Sequence, residues 1–477
     1  MTVPVSYQVI ADLAGGFVPE ADVLSVAIAR DAGEIFSDLR ASEMEIVLDN
    51  QHGLYSPDFR TGPYSLALGG AIRVEAVTDV GSIYGLFNGF VRTFASDARL
   101  GKRRTVIRAM DVAQYLRRDI NTGLLIGANT AELLSHVMSD AALPSSLFAL
   151  DHKLVDVHPF AFMDDISAGE AVSRIVESGA HYTSVDGAGI FAVRNRNIDL
   201  QAATVASYEN FALEMRTALD DRTLMNDVRL RGLLRQAATD PTTVAGIVDQ
   251  RPTVPASGSF AFFLQYQDPV TLETPLPVNS LTTTLTGSDF VVTNSAGTDV
   301  TASMSLSVTP FALSAKLDLF NGTGDEAFVD ALFLTGYPMY RQSPFQSRAE
   351  DAASQAAHGR RAFGISSELF ENVAFADAYA QFLDFRFSTP LAEIIISQRN
   401  LYPDVIAIDL LDTIHIQNSH TAINSTFLVL GIEHAIDFEA VGTVHSVSYR
   451  CRLQQPKAFL ILDDATLGKL DDRTMGF

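Results

Sequence analysis

The sequence predicts a multidomain, mainly β protein that also contains a small α+β domain and an inserted β-sandwich. Apolar and polar residues alternate through much of the chain, and this period of two is typical of half-buried strands. Helical spacing of apolar residues is confined to a few short segments. The chain has 477 residues, 47% of them hydrophobic, which is more than one compact core usually absorbs, so we expect about three to four domains.

Residues 1–110 have the pattern of strands separated by turns. Met44, Ile46 and Leu48 alternate with their neighbours in one run, and Ile72 and Val74 do so in another. Gly and Pro residues stand between the runs, as expected between antiparallel strands. We predict an antiparallel barrel or sandwich for this segment.

Residues 111–200 combine helices with strands. A hairpin is predicted from His181 to Arg194, with Asp186-Gly187 at its turn. Two helices precede it, and each begins with a capping box, in which Glu follows a polar cap after three residues. The two capping pairs are Asn129 with Glu132 and Ser167 with Glu170. This mixture predicts a small α+β domain.

A proline-rich linker leads to a segment of low charge. Pro241, Pro252 and Pro255 lie among small polar residues, and such clusters mark loops between domains. Residues 251–344 are rich in Thr, Ser, Val and Phe, with turn residues about every eight to twelve positions, the spacing of a β-sandwich. We therefore predict that this segment is an inserted β-sandwich.

The C-terminal part begins with helical patterns and returns to strands. An Ala-rich helix is predicted near Ser354 and a longer helix around Asn372 to Arg386. In the last strand Val447, Tyr449 and Cys451 share one face by the period of two. The strands predicted here are 412–417, 426–435 and 443–453. Both ends of the chain are thus β-rich meanders, which is a coarse internal similarity.

Composition excludes several classes of protein. Lys+Arg 34 against Asp+Glu 57 gives a formal net charge of -23, which disfavours nucleic acid and anionic membrane as stable partners but permits transient passage of DNA. The single cysteine, Cys451, excludes an internal disulfide framework and a multi-thiolate zinc site. The N-terminus has no basic region followed by an apolar one, and no apolar run approaches the length of about 18 residues that a membrane helix needs. We expect a soluble protein.

The cluster Asp49-Asn50-Gln51-His52-Gly53 is rich in metal-ligand residue types. An EF-hand calcium loop needs Gly at its sixth position and Glu at its twelfth, between helices. Here the Gly is misplaced and a strand precedes the cluster. We predict a turn, in which Asp and Asn bond the backbone and Gly adopts positive φ.

Residues 187–192 match the GxGxxA pattern of dinucleotide sites. Such a site needs a helix N-terminus after the glycines to bind the pyrophosphate, whereas a strand is predicted here. A hairpin turn is therefore the preferred interpretation. No Walker loop, HExxH or GxSxG motif occurs in the chain.

Three histidines, His415, His434 and His445, fall on three consecutive predicted strands, with Glu433 and Asp437 near them. A metal site built from this set is one interpretation. The alternative is that His415 and His434 are surface-facing polar positions of a half-buried sheet, because they alternate with apolar neighbours. We favour the second interpretation.

The remaining charged groups also have ordinary interpretations. Adjacent acidic residues of an extended chain point in opposite directions, so none of the acidic pairs predicts a two-carboxylate mechanism. These pairs are Asp164-Asp165, Asp463-Asp464 and Asp471-Asp472. The basic run Arg99 to Arg108 predicts a solvated loop and the start of a strand, or an interface to an acidic neighbour.

Several segments, taken in their order along the chain, resemble the central hub proteins of bacteriophage tail tips and baseplates. The resemblance extends to the trimeric hubs of siphophage and myophage tails and of related gene-transfer particles, and covers about residues 44–235 and 350–477. The matching stretches are MEIVLDNQHGLYSPD, GGAIRVEAV, YGLFNGFVRTF, RRDINTGLLIGANTAELLSHVMSDAALP, SGAHYTSVDGAGIFAVRNR, DDRTLMNDVRLRG, DAASQAAHGRRAFG, DLLDTIHIQN, FLVLGIEHAIDF and FLILDDATLGKLDDRTMGF. Ser354, Gly359 and Arg361 match a spacing of that family.

The resemblance implies a structural virion protein and no enzyme, with no catalytic, cofactor-binding or metal-binding residues and no cofactor. Hubs of this family are homotrimers in which each chain supplies two tail-tube-like β-barrel domains, and the ring conducts DNA. The implied partners are distal tail and tube proteins, the tape-measure protein and tail fibre or tip proteins, without stable membrane association. The implied location is the tail tip or baseplate of the virion, after assembly in the host cytoplasm.

The resemblance also implies a domain map. The expected domains are the first barrel at 1–110, the α+β domain at 111–200, the second barrel at 201–250 and 345–460, the inserted β-sandwich at 251–344 and a C-terminal tail at 461–477. The insertion departs from the minimal hub. Two alternatives remain open: a carbohydrate-binding tail adhesin, based on the rings of the insertion, and a cell-wall or polysaccharide hydrolase.

Overall fold

The structure is a computed structural model, and it describes most of the chain. The described residues are 5–11, 17–18, 22–33, 40–53, 55, 68–99, 102–198, 203–209, 214–220, 223–247, 251–268, 270–271, 277–282, 289–370, 372–400, 404–439, 442–454, 459–460 and 474–475. The fold is mainly β, with several sheets and few helices.

The chain begins with strands β1 to β7. They are Val5–Ala11, Phe17–Val18, Val23–Asp31, Glu43–Asp49, Ala71–Thr78, Ile83–Arg99 and Lys102–Met110. The predicted alternation is confirmed in two of these strands, because Met44, Ile46 and Leu48 of β4 and Ile72 and Val74 of β5 are all buried. These side chains form one face of the sheet and pack into the N-terminal core.

A mixed segment follows. Its elements are β8 Asp119–Asn121, β9 Leu125–Asn129, α1 Thr130–Asp140, β10 Phe148–Leu150, β11 Val157–Ala161, β12 Asp164–Ser167, α2 Ala168–Gly179, β13 Tyr182–Val185 and β14 Phe191–Arg194. Asn129 forms the predicted capping box with Glu132, and the Ser167 side chain accepts from the Glu170 N–H. The predicted hairpin is also confirmed, as β13 and β14 pair antiparallel.

The middle of the chain is β-rich. Its strands are β15 Thr204–Glu209, β16 Glu214–Asp220, β17 Asp227–Gly232, β18 Arg235–Ala237, β19 Thr242–Ile247, β20 Thr253–Val254, β21 Ser259–Gln265, β22 Val278–Leu281, β23 Phe290–Asn294, β24 Met304–Pro310, β25 Ser314–Asn321, β26 Ala327–Arg341 and β27 Phe345–Glu350. Strands β18, β19, β20, β22 and β23 pair with the long β26, while β21, β24 and β25 form a second sheet. The two sheets share one core.

The C-terminal part contains both predicted helices. Its elements are α3 Ala352–His358, β28 Ala362–Ser367, α4 Val373–Phe387, β29 Leu391–Arg399, α5 Asp404–Ala407, β30 Thr413–Asn418, β31 Ile423–Glu439, β32 Gly442–Leu453, β33 Phe459–Leu460 and β34 Thr474–Met475. Val447, Tyr449 and Cys451 share the buried face of β32, as the period of two predicts. Helix α4 packs against the sheet β27-β17-β28.

One 13-stranded sheet contains strands from both ends of the chain. Its main path is β16-β29-β32-β31-β3-β4-β7-β6-β5-β1-β2, and β30 and β15 branch from β31. Strands β1 to β7, the N-terminal strand group, meet strands β15, β16 and β29 to β32, the C-terminal strand group, where β3 pairs with β31. Each group has its own apolar core. The two ends of the chain therefore form a single sheet with two cores.

The sheet pairing also bears on the predicted domain map. Strand β19 lies in residues 201–250 but pairs with β26 in residues 251–344, and β17 lies outside the 13-stranded sheet. The boundaries given above remain predictions. In the part of the chain that the structure describes, no helix has the length and hydropathy to cross a membrane.

Candidate functional site: the sheet that joins the two strand groups

The pairing of β3 with β31, called the junction here, is held by two ion pairs as well as by its backbone. Arg450 Nη2 lies 2.8 Å from Asp31 Oδ1, and Arg30 Nη1 lies 2.5 Å from Asp409 Oδ1. The Arg30 side chain is only 3% exposed, so loss of its partner would leave a buried charge unpaired. The junction thus depends on residues that lie some hundreds of positions apart in the chain.

Two buried histidines meet beside the junction. The Tyr7 hydroxyl lies 2.9 Å from His445 Nδ1, and His445 Nε2 lies 3.0 Å from His434 Nδ1. Burial lowers the pKa of His445 to about 4. Burial also lowers the pKa of His434 well below its ordinary value, and the nearby charges of His445 and Arg30 add to this effect. Both rings are therefore neutral at pH 7.

The preferred surface-facing interpretation is wrong for His434. This residue lies between Ile432 and Ile436 on the buried face of β31, while Glu433 and Asp437 lie on the exposed face. His415 is half-buried and contacts Thr426 Oγ1 at 3.4 Å, away from the other two histidines. Within the described ranges, no three His, Cys, Asp or Glu residues are arranged to hold a metal ion.

The glycines of the GxGxxA pattern lie in the turn between β13 and β14. The Gly187 N–H donates to Asp409 Oδ2 at 3.1 Å, and the Asn88 side chain donates to the Ala188 carbonyl at 2.7 Å. A Cβ on Gly187 would lie 1.9 Å from the Gly85 carbonyl oxygen, and Gly189 has a φ of +84°. The predicted hairpin turn is confirmed, and it docks the α+β segment onto β6.

We expect Gly187→Ala to destabilise the protein by about 2 kcal/mol, because the added methyl would overlap the backbone of β6 and force the two segments apart. The midpoint of thermal unfolding should fall by several degrees. Gly364→Ala is the control, since its Cβ would meet nothing closer than the Arg229 carbonyl oxygen at 3.5 Å. Equal midpoints for the two variants would contradict the close packing of the turn on β6.

The exposed face of the sheet at the junction forms a shallow cavity of about 540 Å³. Small residues such as Ala27, Ala29 and Ala435 form its floor. Its charged residues are Glu43, Glu45, Glu433, Arg92 and Arg108. Arg108 Nε lies 2.9 Å from Glu45 Oε2. This face presents small residues and charges of both signs.

A second cluster of charge lies on the sheet β27-β17-β28. The Asp227 carboxylate has no exposed surface and is paired with the guanidinium groups of Arg229, Arg348 and Arg360. Burial alone would raise the pKa of Asp227, but the hydrogen bonds and charges of Arg348 and Arg360 outweigh it and lower the pKa. Each arginine side chain is about half exposed, so the cluster presents a positive patch on an acidic protein.

The residues that match the family spacing lie beside this cluster. The Asn226 side chain donates to Ser354 Oγ at 3.1 Å and to the Gly359 carbonyl at 2.8 Å, and it accepts from the Arg361 N–H at 2.7 Å. Gly359 has a φ of +74°, which favours glycine. The hydrogen bonds of Asn226 thus hold the start of β17 against α3 and the turn after it, and this explains the spacing of the three residues.

The other sequence candidates fall in ordinary positions. In the cluster after β4, the Gln51 N–H donates to Asp49 Oδ1 at 3.1 Å, and Gly53 has a φ of +73°, so the predicted turn is confirmed. The basic run forms the ends of β6 and β7, and its predicted strand is confirmed. The pairs Asp463-Asp464 and Asp471-Asp472 and the side chains of Asp164 and Asp165 lie outside what the structure describes.

Sequence reasoning missed the residues that hold the junction. Arg30 lies in a strand that no quoted motif covers, and Asp409 opens the stretch DLLDTIHIQN without a role assigned to it. An arginine at an inward-facing position of an alternating strand is the only local signal, and Arg30 provides it after Val26 and Ile28. Nothing local indicates its partner, because Asp409 is contributed by a distant segment.

Comparison with known proteins gives a fold-level result. No protein-family model matches the chain, and no curated protein sequence matches it. The chain is similar to the 43 kDa tail protein of prophage MuSo2 from Shewanella oneidensis, with a TM-score of 0.51 and 9% identity over 93% of this chain and 98% of that chain. A tail protein from Neisseria meningitidis MC58 has a TM-score of 0.49 and 12% identity, over 94% and 96% of the two chains. The first similarity spans nearly the full length of both proteins, so the chain has the fold of that prophage tail protein.

Proposed function

We propose that this protein is a structural component of a phage-type tail, the central hub that caps or nucleates the tail tube. The observation that carries the proposal is the 13-stranded sheet, in which eight neighbouring strands, from β16 to β6, run through both strand groups. An uninterrupted sheet of this length suits a tube segment better than it suits an enzyme cleft. The fold shared with a prophage tail protein supports the same role.

The two strand groups are the two tube-like barrels of the proposed hub. Each has its own core, and the junction joins them edge to edge. Three chains, each contributing two such units, would form a ring of six similar units that matches a six-fold tube. A homotrimer is therefore the proposed assembly.

The proposed ring conducts DNA during ejection without binding it. The net charge of -23 disfavours adhesion of the phosphate backbone. Proposed partners are the neighbouring tube, tape-measure and tip proteins. The insertion, built around its own core, is proposed as a peripheral domain that contacts carbohydrate or another tail protein.

The test is the mass of the purified full-length protein in solution, together with its position in an image of the particle. We expect a species of three times the 51.6 kDa chain mass and density on the axis at the tail tip. A strictly monomeric protein, or density only at the periphery of the particle, would contradict the proposal. Release of sugar or peptide fragments from host cell wall would favour the hydrolase alternative instead.

A further inference from the structure

Strands β6 and β31 occupy equivalent places in the two strand groups. Each is 17 residues long, and each continues after a short connection into an antiparallel partner, β7 or β32. From Thr93 to Arg99, counterparts differ by 340 in number, because Thr93 pairs with Arg108 as Glu433 pairs with Ser448, and Arg99 pairs with Lys102 as Glu439 pairs with Gly442. The two hairpins can therefore be compared residue by residue.

The equivalence continues through the next two strands of each group. Strand β4 corresponds to β29, and β3 corresponds to β16. The correspondence follows from the pairing, because residues that face one another across three neighbouring strands form equivalent rows in the two groups. These rows are Arg108, Glu45 and Ala27 in the N-terminal group, and Ser448, Ser397 and Glu214 in the C-terminal group. Glu214 of β16 thus stands in the place of Ala27 of β3.

The groups differ in what lies beside the long strands. On β31, Ala435 pairs with Ala27 of β3 across the junction. Its counterpart on β6 is Ala95, which is exposed. Beyond Val91, whose backbone is bonded to the residues before β5, no described strand pairs with the outer edge of β6. The outer edge of β16 is also unpaired within the described part of the chain.

An exposed leucine marks the free edge. Leu219 of β16 is 76% exposed, whereas its counterpart Ala32, the residue that follows β3, is 4% exposed. Ala32 packs against Leu428 and Leu430 at the junction. The unpaired backbone groups of an edge strand are a ready template for pairing with another chain.

We propose that β16 of one copy of this chain pairs antiparallel with the outer edge of β6 of the next copy, in the register of the junction. The predicted pairs are Glu214 with Ala95, Met215 with Phe94 and Arg216 with Thr93. The occupant of this edge is a second copy of the chain, so this inference rests on the proposed hub function and adds the surface by which copies associate.

The side chains fit this register. Met215 and Phe94 are each half-buried and pack at the margin of their own cores. They correspond to Ile28 and His434, which are buried at the junction, so pairing would extend each core across the contact. A shift by one residue would instead place Met215 opposite a residue of the exposed face.

The contact is head-to-tail, since it joins two different edges of identical chains. Each copy then has one donor edge and one acceptor edge, and the arrangement closes into a ring when the rotation per copy is correct. An isologous dimer would instead join two identical edges and leave the other pair of edges open.

Engineered disulfides test the register in the full-length chain. Cysteine pairs are introduced as Glu214→Cys with Ala95→Cys, and separately as Met215→Cys with Phe94→Cys. Neighbouring pairs of an antiparallel ladder alternate between close and wide spacing, so one of the two suits a disulfide. Glu214→Cys with Phe94→Cys is the control, because these side chains would lie on opposite faces of the sheet. Cys451 is buried and stays in place.

We expect at least one matched pair to produce cross-linked dimer and trimer on a non-reducing gel, at least ten-fold more than the control pair. Glu214 and Ala95 are exposed, so their replacement leaves the core of the chain intact, and circular dichroism checks the fold. A three-chain mass without cross-linking in either matched pair would overturn the proposed register and leave the hub proposal standing. A protein that stays monomeric would overturn both.

Discussion

Replacing Leu219 by aspartate is expected to convert the proposed three-chain assembly into single chains. The leucine lies on the free edge of β16 and is 76% exposed in the single chain. It lies beyond the last predicted pair, at the end of the contact with the next copy, where the substitution removes an apolar contact and places a charge. We expect each contact to weaken by about 3 kcal/mol, or roughly 100-fold in affinity.

The measurement is the mass of the purified variant across a range of concentrations. Val80→Asp is the matched control, because Val80 is also an exposed aliphatic residue, at 80%, and lies in the turn between β5 and β6 away from both free edges. The control should keep the mass of the wild type. An unchanged mass for Leu219→Asp, or an equal loss in both variants, would contradict the role of the β16 edge.

We expect acid to lower the stability of the folded protein through its buried histidine pair. The pKa of His445 is lowered to about 4, below the value of about 6.5 for an exposed histidine in the unfolded chain. A proton therefore binds the unfolded state first as the pH falls. The stability from the neutral ring is fully present above about pH 6.5 and is lost between about pH 6.5 and pH 4, which amounts to about 3 kcal/mol.

His434 adds to this loss, because its pKa is also lowered by burial and by the neighbouring charges of His445 and Arg30. Both rings lie where β31 and β32 pass Tyr7 of β1, so protonation would act on the contact between the two strand groups. We expect the midpoint of urea unfolding to fall steeply from pH 6.5 to pH 4. His434→Leu should flatten this dependence.

Tyr7→Phe provides the control for the histidine experiment. It removes the hydroxyl that lies 2.9 Å from His445 Nδ1 but leaves both imidazoles in place. The variant should lose about 1 kcal/mol at every pH, with the same steep fall in acid. A His434→Leu variant that keeps the full pH dependence would show that other groups cause the acid sensitivity.

Local pattern was sufficient to predict many of the secondary-structure elements. The alternation of Met44, Ile46 and Leu48 indicated a strand, and the capping pair Asn129 and Glu132 indicated the start of a helix, because each signal depends only on neighbours in sequence. The turn after β4 was predicted from the backbone needs of Asp, Asn and Gly. The burial of His434 was not predicted correctly. Alternation shows which residues of a strand share a face, but it does not show whether a second layer covers that face.

The sequence by itself determined that the protein is acidic and mainly β, with a single cysteine and an ordered set of segments that resemble tail hubs. Only the tertiary structure decided how the two ends of the chain are joined. The pairing of β3 with β31, the contact of Arg30 with Asp409 and the docking of Gly187 on Gly85 all connect distant segments. Such contacts form only when the chain has closed long loops, so no short stretch of sequence contains the information that specifies them.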